Sequence, residues 1–270
     1  MEGMTRQDDV NRDTWAQASS RTYLQRRDGF LPGEREPFAH VAARLGGRPV
    51  LELGCGTGRT MGFTSALSDD YRALDYLPEM VEACRAAHPR LRVDLGDART
   101  LDGVPDGYFG LVTFAWNGID AVSHADRALV LAAVRRVLAP GGMFFFSTLN
   151  LDGPDLRERP WHVPLAPSKN PLVFAVRAAK AARYVAQNCA HWMRLQPLVE
   201  RGPGYAVAPL PAHGYGILAH YTTLGRQLVE LADAGFAPDA QIFASVTGAP
   251  VTLEDDTSAI DYFHIITRAP

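Results

Sequence analysis

Cysteine is scarce, long hydrophobic runs are missing, and there is no basic excess. The chain's three cysteines, Cys55, Cys84 and Cys189, are too few for a disulfide framework. They also lack the C-x-x-C spacing of zinc sites, so a reduced, cytoplasmic setting is expected. No uncharged stretch approaches the ~20 apolar residues that span a bilayer. The N-terminus is polar and charged, unlike a secretory leader. A formal net charge of −3 and a pI near 6.2 argue against a broad nucleic-acid groove, which needs a basic face. Neither nucleic acid nor membrane is therefore expected as a partner. No internal repeat is present. What remains is an ordinary globular composition, 47% hydrophobic, at a length that suits one α/β domain with an insertion or two domains.

The most informative stretch is Val50-Leu51-Glu52-Leu53-Gly54-Cys55-Gly56-Thr57-Gly58. An apolar run feeds a turn with three alternating glycines, which let backbone approach a ligand closely. Parallel sheets bind nucleotides beyond the carboxyl ends of their strands. The dinucleotide fingerprint is G-x-G-x-x-G, with a pyrophosphate on the helix N-terminus. Here the spacing is G-x-G-x-G, and Glu52 precedes the first glycine by two residues. A carboxylate there disfavours pyrophosphate and favours a cationic ligand. An ordinary Gly-rich strand-to-helix turn is the plain alternative.

Downstream segments narrow the choice. Tyr71-Arg72-Ala73-Leu74-Asp75 reads as a short strand ending in an acid, and Pro78 suits the first position of the next helix. Asp75 stands at the ribose-binding distance from the first glycine. A third strand leads to Gly96-Asp97-Ala98, and a fourth, Tyr108 to Phe114, leads to Ala115-Trp116-Asn117-Gly118. Ser123 and Asp126 form a capping box for a helix from Asp126 to Leu138. Pro140-Gly141-Gly142 ends it, and Met143 to Thr148 is a buried strand. Leu224, Leu228 and Leu231 share a helical face after Tyr221-Thr222-Thr223, with Gly235 as the stop. Strands near Ile242–Val246 and Tyr262–Thr267 close the chain.

Taken in order, these motifs resemble the class I S-adenosylmethionine-dependent methyltransferases over most of residues 45–150 and 221–268. The resemblance implies an α/β, Rossmann-like, doubly wound sheet of seven strands, mostly parallel, with the last antiparallel. It implies S-adenosyl-L-methionine as cofactor. The turn Gly54-Cys55-Gly56 would face its amino-acid end with Glu52, and Asp75 would accept from the ribose hydroxyls. Tyr76 and Met80 would border adenine, with Asp97 and the Ala98 backbone near its amino group. Ala115 and Asn117 would stand where cofactor and acceptor meet. An N-terminal segment, residues 1–30, would act as a lid, with Trp15 and Tyr23 spaced for one helical face and Tyr23 touching the ligand. The core would comprise 31–150 and 216–270. Gly110 departs from the family, which often has Asp there.

Residues 151–215 read as an inserted substrate cap, rich in proline, with a helix from about Leu172 to Leu195. Its basic side chains Arg177, Lys180 and Arg183 permit a solvated face, an anion-steering wall, or a membrane-surface helix. The last ranks lowest because the apolar face is alanine-rich. For an acceptor that loses a proton, His220 is the preferred base and His213 the second. His124, His162 and His191 rank below them. No motif for base amines, arginine, a catechol-type magnesium site or pyrimidine C5 chemistry is present, and no metal is expected. The reading is methyl transfer to an O, N or C nucleophile of a small molecule, by analogy in specialised metabolism, by a monomer or homodimer. A peptide methyltransferase, a non-catalytic cofactor-binding sensor or scaffold, and a nicotinamide oxidoreductase are the alternatives.

Overall fold

The computed structural model describes residues 6–18 and 29–270. The apolar runs form the middle of one sheet. Strand β1 (Val50–Leu53) lies between β2 (Tyr71–Asp75) and β4 (Phe109–Phe114), parallel to both. Strand β3 (Arg92–Leu95) flanks β2, and β5 (Leu138–Asn150) flanks β4, again parallel. Every residue of β1 and β4 is buried, as expected of strands covered on both faces. Strand β10 (Tyr262–Arg268) runs antiparallel along β5, and β9 (Gln241–Ala244) antiparallel along β10. These seven strands are the doubly wound sheet the sequence implies.

Helices cover both faces. Phe38, Val41 and Leu45 of α2 (Arg35–Leu45), Met61 of the short α3 (Met61–Thr64), and Val81 and Cys84 of α4 (Pro78–Ala87) build one core layer. Val130 and Val134 of α5 (His124–Val137) and Leu224 and Leu231 of α7 (Leu224–Asp233) build the other. Both of the latter helices are capped by side chains. Ser123 accepts from the Asp126 N–H, and Thr223 from the Arg226 N–H, each at 3.2 Å. A Cβ at Gly110 would lie 2.3 Å from the Arg48 Cβ. Local packing thus accounts for glycine at that position.

One sequence expectation is corrected. Pro140-Gly141-Gly142 does not separate helix from strand. Helix α5 ends at Val137, and β5 already starts at Leu138, paired with Phe109 ahead of a register shift. The seven-stranded core is also extended by three further strands. Beyond the long helix α6 (Pro171–Leu195) come β6 (Glu200–Gly202), β7 (Tyr205–Pro209) and β8 (Leu218–Thr222). Strand β7 is antiparallel to both neighbours, and β8 joins β5 in parallel at Leu149 and Asn150, beyond the end of β4. Strands of three and five residues offer too little period-two pattern to stand out. The added hairpin straddles the boundary drawn between residues 215 and 216, and it rises over the carboxyl edge of the sheet.

Candidate functional site

The glycine turn leaves β1 with Gly54, Gly56 and Gly58 all in the left-handed region, at φ 58°, 55° and 89°. A Cβ at Gly54 would lie 2.6 Å from Cε2 of Phe114, and one at Gly118 would lie 2.1 Å from the same atom. One ring edge thus props both the β1 turn and the β4 loop. A Cβ at Gly56 would meet nothing within 4 Å, so that turn borders open space.

Asp75 ends β2 and is buried. Its two oxygens accept from the Gly56 N–H (2.9 Å) and the Leu77 N–H (3.0 Å). Burial pushes its carboxyl up, while these bonds pull it down. The Tyr76 N–H acts on it as well; a carboxylate has about four acceptor positions, so capacity remains for a ligand. Glu52 differs: it lies beneath the turn in a closed set of hydroxyls. Thr60 donates to it at 2.6 Å, Tyr71 at 2.7 Å, and Thr64 also donates. The Cys55 thiol beside it is buried; its bond with Cys84 is the main cause that pushes it up, followed by desolvation.

Met80 is buried and Tyr76 exposed at the start of α4. Asp97 is held by Arg99, whose Nη2 lies 2.6 Å away. Burial would raise that carboxyl, but the Arg99 bonds leave it below its ordinary value. Ala98 packs on the layer built by α5 and α7. Arg99, which sequence reasoning missed, also pairs with Asp8 (2.8 Å) and Asp126 (3.1 Å).

Ala115 opens the loop after β4. Trp116 and Asn117 follow at φ 54° and 56°. Two consecutive left-handed non-glycine residues cost about 1–3 kcal/mol each, and such strain concentrates at functional sites. The Asn117 N–H donates to Ser147 Oγ at 2.7 Å, but its side-chain Oδ1 is buried without a donor. The Arg59 guanidinium lies 4.6 Å from the Trp116 ring centroid. Glu34 holds that guanidinium through two bonds of 2.7 Å.

Helix α1 (Arg6–Ala18) covers this edge. Gln7, Asn11 and Thr14 form one polar face that binds backbone. Asn11 donates to Leu218 O at 2.8 Å and accepts from the Leu218 N–H at 2.9 Å. Gln7 reaches Val122 O, and Thr14 reaches Gly216 O. Trp15 meets His213 edge-on, with ring centroids 4.7 Å apart. Tyr23 lies outside the described residues.

The structure separates the two favoured histidines. His220 is fully buried, and its Nε2 sits 3.0 Å from Nδ1 of His124. Burial, Arg127 and His124 depress its basicity far below the ordinary histidine range. His124 is in turn stacked on Tyr205 at 3.5 Å. His213 is only partly buried, beneath Trp15. The sequence ranking of His220 over His213 thus runs against their access to solvent. His191 is bonded to Gly214 O, and His162 is exposed on the cap.

Among the described residues, His124, His220 and Glu230 are the one group of metal-ligand type. Glu230 accepts from Arg127 Nε and Arg226 Nε, each at 3.3 Å. Two guanidinium charges beside it oppose a cation, so the group reads as a hydrogen-bonded brace. Arg127 also forms a wholly buried pair with Asp120. Burial pushes the Asp120 carboxyl up to about 7, against the pull of Arg127.

Asp155, just past β5, was also missed. Burial first, then Asp261 and Glu158, push it up to about 6, beside the buried Tyr221 phenol. An acid a few residues beyond the carboxyl end of a parallel strand was the available signal.

Residues 50–142 match a family model described as "Methyltransferase domain". A malonyl-[acyl-carrier protein] O-methyltransferase of Erwinia billingiae is 33% identical over 117 residues, covering 43% of this chain and 45% of that protein. The chain thus spans about half the length of the curated relatives it matches. The CcbJ methyltransferase of Streptomyces caelestis superposes with a TM-score of 0.57 at 20% identity, covering 96% of this chain and 98% of that one. The glycopeptide N-methyltransferase MtfA, solved with S-adenosyl-L-methionine, superposes at 0.53 and 20% identity, covering 93% and 99%. These likenesses show the fold.

Proposed function

We propose, from the methyltransferase-domain match over residues 50–142, that this chain is a class I S-adenosylmethionine-dependent methyltransferase and methylates an O, N or C nucleophile of a small molecule. The carrying observation is Asp75. It is buried and anchored by backbone N–H groups at the end of β2, with acceptor capacity left over for a ligand. A ribose diol fits that need. The open space over Gly56 and the unpartnered Asn117 Oδ1 fit a ligand along the same edge.

When bound, S-adenosyl-L-methionine supplies an electrophilic methyl group. The protein's work is then positioning, where holding reactants about 3–3.5 Å apart contributes roughly 7–11 kcal/mol. Asp75 accepts from the ribose. Tyr76, Met80, Asp97 and Ala98 frame the adenine. Gly54, Cys55 and Gly56 present backbone to the amino-acid end, over the negative charge of Glu52. Ala115 and Asn117 mark the junction with the acceptor, and α1 excludes water. For an acceptor that loses a proton, His213 takes it, with Asp155 as the carboxyl alternative; His220 serves behind them as a brace. The variable cap suits a specialised metabolite, and three unpaired cysteines suit the cytoplasm.

Thermal melts with S-adenosylmethionine, S-adenosylhomocysteine and NAD test the cofactor, since a ligand at 100 times its Kd adds about 2.7 kcal/mol. Labelled methyl transfer to candidate metabolites tests turnover. Binding without any transfer would make the chain a sensor or scaffold.

A further inference from the structure

We propose that the cap arm, residues 159–187, docks on an anionic lipid surface. From Arg159 to Val199 there is no Asp or Glu, but six Lys or Arg, in a chain whose net charge is −3. The arm therefore seeks an anion. Helix α6 runs for 25 residues, yet only Leu195 is buried. It meets the body through its last turns: His191 Nδ1 lies 3.0 Å from Gly214 O, and the Asn188 side chain abuts Gly214. In the first turns, Arg177 donates to Pro167 O of the lead-in.

The exposed tip is apolar. Leu172 is 76% exposed, and Val173, Phe174 and Val176 are exposed beside it. Successive residues turn by about 100° on a helix, so these side chains surround the axis rather than form a stripe. Leu165 adds exposed apolar surface just before the helix, while Trp161 lies near Trp192 at the root of the arm. The sequence reading ranked a membrane contact lowest for want of large anchors, and the structure exposes them.

A second copy would bring Arg177, Lys180 and Arg183 against their own kind. A protein groove covers one face of a helix. A lipid interface accepts an apolar tip from every side, while Lys and Arg behind it reach the headgroups. Such a contact lies on the bilayer rather than across it: among the described residues no helix is long and apolar enough to cross. The root of the arm abuts Gly214, next to His213, so docking would hold the acceptor entrance near lipid. Only that last placement rests on the methyl-transfer reading; the docking itself does not.

The test is co-sedimentation of the full chain with vesicles of phosphatidylcholine alone, or with about 30% phosphatidylglycerol. Salt-sensitive binding to the anionic vesicles only is expected. Reversing Arg177, Lys180 and Arg183 to Glu should weaken it on the order of 100-fold. Leu172→Asp with Phe174→Asp should weaken it at least about tenfold. All variants should keep the wild-type melting curve. No binding of wild type at low salt overturns the proposal. So does undiminished binding of the Leu172→Asp/Phe174→Asp variant, which would leave only diffuse charge attraction. Binding to polyglutamate but not vesicles would assign the arm to an acidic protein. A dimer abolished by the tip variant would assign it to a second copy.

Discussion

Replacing Asp75 by alanine tests the cofactor reading most directly. Its carboxylate is buried and accepts from the Gly56 and Leu77 N–H groups, with the Tyr76 N–H acting on it as well. Hydrogen bonds to a charged group contribute about 1.5–3 kcal/mol each. Losing two ribose bonds therefore costs about 3–6 kcal/mol, or roughly a hundredfold to ten-thousandfold in Kd. The backbone N–H groups also lose their partner, at about 1–3 kcal/mol each if they stay dry. That cost falls on stability and is offset in part by no longer burying a charge. Two measurements separate the effects. Urea unfolding reads the fold, and calorimetry compares S-adenosylhomocysteine with its 2′,3′-dideoxy counterpart. Wild type should prefer the diol by the full factor, and Asp75→Ala should show almost no preference. If the variant binds S-adenosylhomocysteine within about threefold of wild type, or still discriminates the diol, the ribose assignment is wrong.

Removing the Asp120 carboxylate leaves the buried Arg127 with Glu230 as its remaining acidic partner, so Asp120→Ala should cost about 3 kcal/mol in urea unfolding; a loss below about 1 kcal/mol would show that the pair carries little. His213→Ala should lower kcat by about 100-fold or more for a proton-losing acceptor. His220→Ala should instead lower stability by about 1–3 kcal/mol and spare kcat; the opposite pattern would restore His220 as the base. Asp155, up at about 6 in the folded protein against 3.8 for the free side chain, binds its proton more tightly when folded. Its contribution to stability is therefore full below about pH 4 and lost as pH rises toward 6. Asp155→Asn should flatten that slope in melts across this window, and an unchanged slope would remove the group from account. Gly54→Ala combines a left-handed φ with a contact at 2.6 Å on Phe114, and should abolish cofactor binding in the same calorimetric assay.

The legible parts of this chain were those whose chemistry is local. Val50–Leu53, the glycine turn, Asp75 at a strand end and the Ser123 cap stand where the pattern puts them. Each needs only neighbours in sequence to be recognised. Strands β6, β7 and β8 were hidden, because their stability comes from pairing with one another and, through β8, with β5 rather than from a long apolar pattern. The contacts of α1 were hidden for the opposite reason. Gln7, Asn11 and Thr14 are polar on the buried face, since they satisfy backbone groups of β8 and its approach. The closed hydroxyl set around Glu52 and the sealing of His220 by His124 join residues far apart in the chain. Spacing alone carries no trace of such meetings.

The ring of Phe114 touches the Cα side of Gly54 and Gly118 at once. On the methyl-transfer reading, donor wall and acceptor wall share this spacer, and a side chain at either glycine would press on it. Evolution toward a bulkier acceptor has little freedom on that floor. It has ample freedom overhead, in a roof added between β5 and α7, which can be rebuilt while the floor keeps its dimensions.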